Sequence, residues 1–201
     1  MSRCMFIALL LVCSVTPAAA QQAIPWKSSG DWDILMDQTM GNACYVTAAY
    51  EDGTVIRLGF NFLENERTMY LAIGNAKWKS LEDSKDYEIS VTFDNRTPWK
   101  AAAVGSDFAS AKWLFINGLK GSFANEFARK HSVRVHYNGR EIVNLRLKGS
   151  SKAIDEMIAC QTTVNEVTSG KPQQPTTPAP SPQDPFSAAP NTRNASDPFD
   201  M

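Results

Sequence analysis

The chain has 201 residues, with 20 Lys+Arg against 21 Asp+Glu and a hydrophobic share of 43%. A formal net charge of -1 at pH 7 gives no surplus cation to neutralise a polyanion, so nucleic acid is not an expected partner. No basic or acidic run occurs either, which removes the usual attraction to an anionic membrane surface.

Arg3 precedes an apolar run from Met5 to Val15, and Ala18 to Ala20 offer a small-residue cleavage site. This order predicts a secretory signal peptide over residues 1–20, cleaved after Ala20, and a periplasmic or secreted mature chain. The run is shorter than the ~20 residues a spanning helix needs, so no transmembrane segment is expected in the mature chain. Cys13 follows Val12, where a lipobox uses a small residue, so lipidation is not expected.

Loss of the signal removes Cys4 and Cys13 and leaves Cys44 and Cys160. An even cysteine count in an exported chain predicts a disulfide between the two. The loop it closes is long, worth ~4–5 kcal/mol in the chain-entropy model. Pairing also removes the free thiolate that a cysteine nucleophile requires.

Residues 21–167 read as one β-rich domain, near the common domain size. "CYVTAAYE" meets Asp52-Gly53, a hairpin signal, before "VIRLGFNF", where Ile56, Leu58, Phe60 and Phe62 alternate onto one face. "LENE", Leu63 to Glu66, suits a short connection to "TMYLAI", with Met69, Leu71 and Ile73 on one face. "YEISVTF" alternates Tyr87, Ile89, Val91 and Phe93. "GSFANEFARKH" changes period: Leu119, Phe123 and Phe127 with Ala124 and Ala128 form a helical stripe. "SVRVHY" and "REIVNLRL" alternate again around Asn138-Gly139, the strongest short hairpin signal. "SSKAIDEMIAC" predicts a short helix with Ile154, Met157 and Ile158 on one face and Ser150 or Ser151 as cap. Each strand is expected to have one buried and one solvated face.

From about residue 168 to 201 the composition changes to Pro, Thr, Ser and Ala, with almost no large aliphatic residue. Such a segment cannot bury enough apolar surface to offset its ordering entropy, so a disordered tail is predicted. The fold class is therefore mainly β: an antiparallel sandwich or open barrel, two short packing helices, one disulfide and a disordered tail.

The catalytic inventory is sparse. The two histidines are His131 and His136, and the second alternates with Val135 and Tyr137 toward the solvated face. No zinc-type spacing, nucleophile elbow or phosphate-cradling loop occurs, so no catalytic residue, metal ligand or cofactor is assigned. The acidic group Glu82, Asp83, Asp86 and Glu88 lacks a calcium-loop pattern and reads as a solvated loop entering a strand.

Five tryptophans are spread over the ordered region, and Trp78 and Trp99 are followed by Lys79 and Lys100. An aromatic platform with a flanking cation suits a glycan or a peptide, so these four residues form the candidate binding set. The tail repeats Asp-Pro-Phe at Asp184, Pro185 and Phe186 and at Asp197, Pro198 and Phe199. A phenylalanine carried by a disordered tail is a plausible anchor for a partner groove.

The order "GDWDI", "CYVTAAYEDGTVIRLGF", "NAKWKSLEDSKDYEISVTFDNRTPWKAAAVG" and "VRVHYNGREIVNLRLKGSSKAIDEMIACQ" resembles a family of small exported proteins of Proteobacteria, mainly alphaproteobacteria. The closing pattern of Leu145, Leu147, Gly149, Ser150, Ala153 and Cys160 carries much of that resemblance. The end of the region also resembles the ends of invasion-associated locus B proteins and of some type VI secretion accessory proteins. The resemblance implies a periplasmic β-sandwich-like domain with one disulfide, and no catalytic residue. Three functions are weighed on these grounds. The first is an exported interaction or accessory module whose partner is an envelope protein. The second is a cell-envelope glycan-binding or enzyme-inhibitor domain that uses the tryptophans. The third, an envelope hydrolase, has no positive feature behind it.

Overall fold

The structure is a computed structural model that describes residues 23–63, 68–108 and 111–170. The expected signal peptide and both Asp-Pro-Phe repeats lie outside the described residues, as does most of "LENE". Ten strands and two helices follow one another: β1 (Ile24–Ser29), β2 (Trp32–Asp37), β3 (Ala43–Ala49), β4 (Thr54–Asn61), β5 (Thr68–Asn75), β6 (Asp86–Phe93), β7 (Trp99–Phe108), β8 (Ala111–Leu119), α1 (Gly121–Arg129), β9 (Ser132–Tyr137), β10 (Arg140–Arg146) and α2 (Ser150–Thr168). All pairings are antiparallel.

The strands form one ten-stranded sheet in the order β1-β2-β3-β4-β5-β8-β7-β6-β9-β10. The first five strands meander. The chain then crosses to β6, returns through β7 and β8 to pair with β5, and crosses again through α1 to place β9 beside β6. Three consecutive strands with a fourth returning beside the first make a Greek key. Trp32 and Ile34 of β2 share one core with Val143 and Leu145 of β10. The sheet therefore curls until its distant strands face one interior, as in an open barrel.

The turns show where local chemistry decides. Asn138 and Gly139 both have positive φ, 48° and 75°, so β9 and β10 join through a two-residue type I′ turn as predicted. Asp52-Gly53 behaves differently. Only Gly53 is left-handed, at 87°, and its amide donates to the Tyr50 carbonyl. The Asp52 carboxylate accepts from both the amide and the hydroxyl of Thr54, so the loop spans residues 50–53 and the two-residue hairpin expected there does not form.

The interior follows the alternation. Ile56, Leu58, Leu71, Ile73, Val91, Phe93, Val133 and Val135 are all fully buried. Phe123 and Phe127 of α1 meet Phe93 edge-on, with ring centroids 5.1 and 6.2 Å away. Leu119, expected in the helical stripe, instead ends β8. Phe60 is half-buried against the edge of this core, and it stacks on Phe62 at 5.7 Å.

α2 is longer than predicted. It passes Cys160 and continues to Thr168, 19 residues in all. Its buried face is Ala153, Ile154, Met157, Cys160 and Gln161, whereas Ile158, expected on that face, is exposed. Ser150 is buried, and its hydroxyl donates to the Phe127 carbonyl in α1 at 3.0 Å. The Cys44–Cys160 disulfide is present and ties the middle of α2 to β3. Trp32, buried on β2, donates from Nε1 to the Lys148 carbonyl at 2.9 Å. α2 is thus fixed to α1 through Ser150 and to β3 through Cys160, and the turn before it is held to β2. Residues 166–170 close with the Gly170 amide donating to the Val167 carbonyl and the Ser169 hydroxyl to that of Glu166.

Candidate functional site

The expectation of a uniformly solvated outer face fails on β3, β4, β5 and β8. Tyr45, Tyr70, Ala72 and Trp113 form a second buried cluster on the side away from the interior. The register explains its arrangement. Gly59 lies between Tyr45 and Tyr70 in one cross-strand row, and Gly74 lies opposite Trp113 in another. A Cβ on Gly74 would stand 2.4 Å from the Trp113 ring, and one on Gly59 would stand 2.5 Å from the Tyr45 Cβ. The two glycines let aromatic rings lie flat against the strand backbone.

Arg57 rises between these rings. Its row runs Thr47–Arg57–Ala72–Phe115. Its guanidinium carbon is 4.8 Å from the Trp113 ring centroid, 5.3 Å from Tyr45 and 5.9 Å from Phe108. Cation–π attraction holds the group over the ring faces. Its Nε is buried with no hydrogen-bond partner among the described residues. Burial raises the pKa of Tyr45, against a lowering by Arg57, and burial likewise raises that of Tyr70. Both phenols are therefore neutral at physiological pH. Trp113 donates its indole N–H to the Phe108 carbonyl at 3.0 Å, and the Phe108 ring is 51% exposed at the rim.

A groove bordered by several polar side chains occupies the outer face of the other half of the sheet. It has a volume of about 620 Å³ and is lined by Glu88, Ser90, Thr92, Lys100, His136 and Asn138 among others. Register sets Lys100, Ser90, His136 and Glu141 side by side across β7, β6, β9 and β10. His136 Nε2 is 4.0 Å from Glu141 Oε2, too far for a hydrogen bond. The row offers donors and acceptors for a polar ligand. No group of three or more His, Cys, Asp or Glu side chains among the described residues is placed to hold a metal ion.

The predicted binding residues do not converge. Trp78 lies three residues beyond Asn75, in the crossing loop after β5, and is half-buried against the interior core. Trp99 opens β7 rather than sitting in a loop. Its Nε1 donates to Glu126 Oε2 at 2.6 Å, and its ring meets Phe123 edge-on at 5.6 Å. Asn75 is opposite Lys112, which is opposite Asp107. Trp99 is eight residues earlier on that strand, ~26 Å away at strand rise. The two rings therefore belong to opposite ends of β7 and do not form one platform. Lys79 and Lys100 are both exposed, and only Lys100 borders the groove. His131 is exposed in the connection from α1 to β9.

Arg57 and its aromatic surround were missed in the sequence. The signal available was an isolated glycine inside each of two strongly alternating strands, Gly59 and Gly74, which marks close approach to a backbone.

Together these features define a small disulfide-closed open barrel with an aromatic-lined cation on one outer face and a polar groove on another. No family model and no curated protein matches the chain. Among solved structures it is similar to invasion associated protein B from Bartonella henselae, with a TM-score of 0.50 and 11% identity, over 68% of this chain and 97% of that one. The likeness is one of fold, and it falls on one of the groups that the end of the domain resembles in sequence.

Proposed function

We propose that this chain is an exported accessory module that binds a partner protein in the cell envelope and does so without catalysis. The observation that carries this reading is Arg57, a cation lodged among aromatic rings on the outside of the barrel with its Nε unpaired. A cation so placed on the outer face can meet an acceptor from a partner through its terminal amino groups. The buried disulfide supports an oxidising compartment. No helix among the described residues is long and apolar enough to cross a membrane. The structural neighbour is named for an association with invasion, which agrees with a protein that works outside the cytoplasm.

The test is photo-crosslinking in living cells, with the reactive residue placed at Phe108 and, as a control, at Lys152 on α2. The expected result is a discrete adduct from Phe108 and none from Lys152. An absence of adducts from both removes the reading.

The groove favours a second reading, envelope glycan binding, because Lys100, Ser90, His136 and Asn138 line one polar concavity. Co-sedimentation with peptidoglycan tests it, with Lys100→Ala and Trp99→Ala as variants. Wild-type protein that stays in the supernatant ends this reading before the variants matter.

A further inference from the structure

We propose that the Arg57 site receives the carboxylate of an Asp or Glu side chain from the partner protein, with an apolar neighbour of that residue seated on the Phe108 ring. This rests on the interaction-module reading and specifies its chemistry.

The argument begins with what surrounds the guanidinium. The Trp113, Tyr45 and Phe108 rings surround it, with centroids 4.8, 5.3 and 5.9 Å from its central carbon. Its Nε is buried with no acceptor among the described residues, so a ligand from outside would reach the terminal amino groups. A planar carboxylate matches their fork of donors with two parallel hydrogen bonds.

Among the described residues, neither nearby carboxylate is free for it. Asp33 is the acidic residue in the same cross-strand row, but Thr47 separates it from Arg57. Two strand spacings make that ~10 Å, and Asp33 Oδ1 accepts instead from the Ser28 hydroxyl at 2.7 Å. Asp107 is paired with Lys112 at 2.6 Å.

Other ligand classes fit less well. A phospholipid surface or polyanion is held by several cations together. Here Arg57 is alone among aromatic residues, and Lys112 is already paired. A neutral glycan would stack on open ring faces and leave the cation unused, and the Tyr45 and Trp113 rings are buried. The half-exposed Phe108 ring beside the cation suits an apolar side chain one or two residues from the carboxylate.

The experiment uses the full mature chain and three small probes: 3-phenylpropionate, its neutral amide 3-phenylpropionamide, and phenyl phosphate. The readouts are the NMR signals of the Arg57 Nε–H and the Trp113 indole N–H. We expect 3-phenylpropionate to shift both and to saturate at about tenfold lower concentration than the amide, the difference made by a charge-assisted pair. In Arg57→Met the acid and the amide should become equivalent, whereas Phe108→Ala should weaken both and keep the preference for the acid. Should Arg57→Met fail to fold, the wild-type comparison and Phe108→Ala still decide. Equal binding of acid and amide, no shift with the acid, or preferred binding of phenyl phosphate each overturns the proposal. Crosslinking that fails while the acid preference holds removes the partner-protein reading and not the site; the reverse result removes the carboxylate and keeps the module.

Discussion

The backbone amide of Cys44 donates to Oε1 of Gln161 at 2.7 Å, one residue past the cysteine to which its own side chain is bonded. The Gln161 Nε2 reaches back to the Asn42 carbonyl at 3.3 Å and across to Asn165 Oδ1 at 3.0 Å. β3 and α2 are thus joined twice at one point, by a covalent bond and by a buried amide.

Gln161→Ala should therefore cost stability even with the disulfide intact. It leaves the buried Cys44 N–H without its acceptor, a loss of about 1–3 kcal/mol. Denaturant unfolding under oxidising conditions measures it. Replacing both Cys44 and Cys160 by serine should cost more, up to ~4–5 kcal/mol, because their separation of 116 residues closes a long loop. A Gln161→Ala protein as stable as wild type would show that the amide adds nothing to the crosslink.

The cysteine pair was legible in the sequence because compartment and count suffice to predict it. The interior strands were legible too, since Ile56, Leu58, Leu71 and Ile73 obey a period of two that one buried face imposes. β1, β2, β7 and β8 were not foreseen. β1 is an exposed edge strand, and β7 runs "WKAAAVGSDF", where small residues carry no alternation. The extension of α2 to Thr168 was hidden by threonines and valines of modest helix propensity. The Arg57 site was hidden for a different reason. It is assembled from four strands and a hairpin tip, and only the register brings Tyr45, Arg57, Phe108 and Trp113 together.

Gly74→Ala tests that assembly from beneath. The added Cβ would stand 2.4 Å from the Trp113 ring, and the ring is buried with little room to retreat. The expected loss is about 1–3 kcal/mol from overpacking. Trp113 should also move off Arg57, which near-ultraviolet circular dichroism would register as a changed tryptophan band. A variant of unchanged stability and spectrum would mean that the ring does not lie on the strand.

Tyr50 sets an alkaline limit. Its hydroxyl donates to the Arg146 carbonyl at 2.6 Å, joining the β3–β4 loop to the end of β10. Burial, with Asp31 and Asp52 nearby, pushes its pKa up to about 12 from 10.0. The unfolded chain then loses this proton first as pH rises, so the tyrosine's contribution is complete below pH 10 and is lost between pH 10 and about 12. The stability difference between wild type and Tyr50→Phe should narrow across that window. A constant difference would show that the phenol titrates alike in both states.

Asp94 sets the acid counterpart. It opens the turn after β6 at a left-handed φ of 50°. Its Oδ1 accepts from the His131 amide at 3.1 Å, the Ser132 amide at 3.0 Å and the Ser132 hydroxyl at 3.2 Å. Desolvation works to raise its pKa, but these three hydrogen bonds, aided by His131, outweigh it and hold the carboxyl below its ordinary value of 3.8. A depressed folded-state pKa means that the stabilisation is present above the ordinary carboxylate range and is lost as pH falls through the folded value. Asp94→Asn keeps an acceptor oxygen and removes the titration. It should be less stable than wild type at pH 7, and the difference should shrink as pH drops below 3.8, since a protonated Asp94 and an asparagine are then alike. Paired thermal melts from pH 7 into the acid range read this directly, because the other carboxylates cancel in the comparison. A difference that stays constant across the range would place the value of these contacts in their geometry and not in the charge of Asp94.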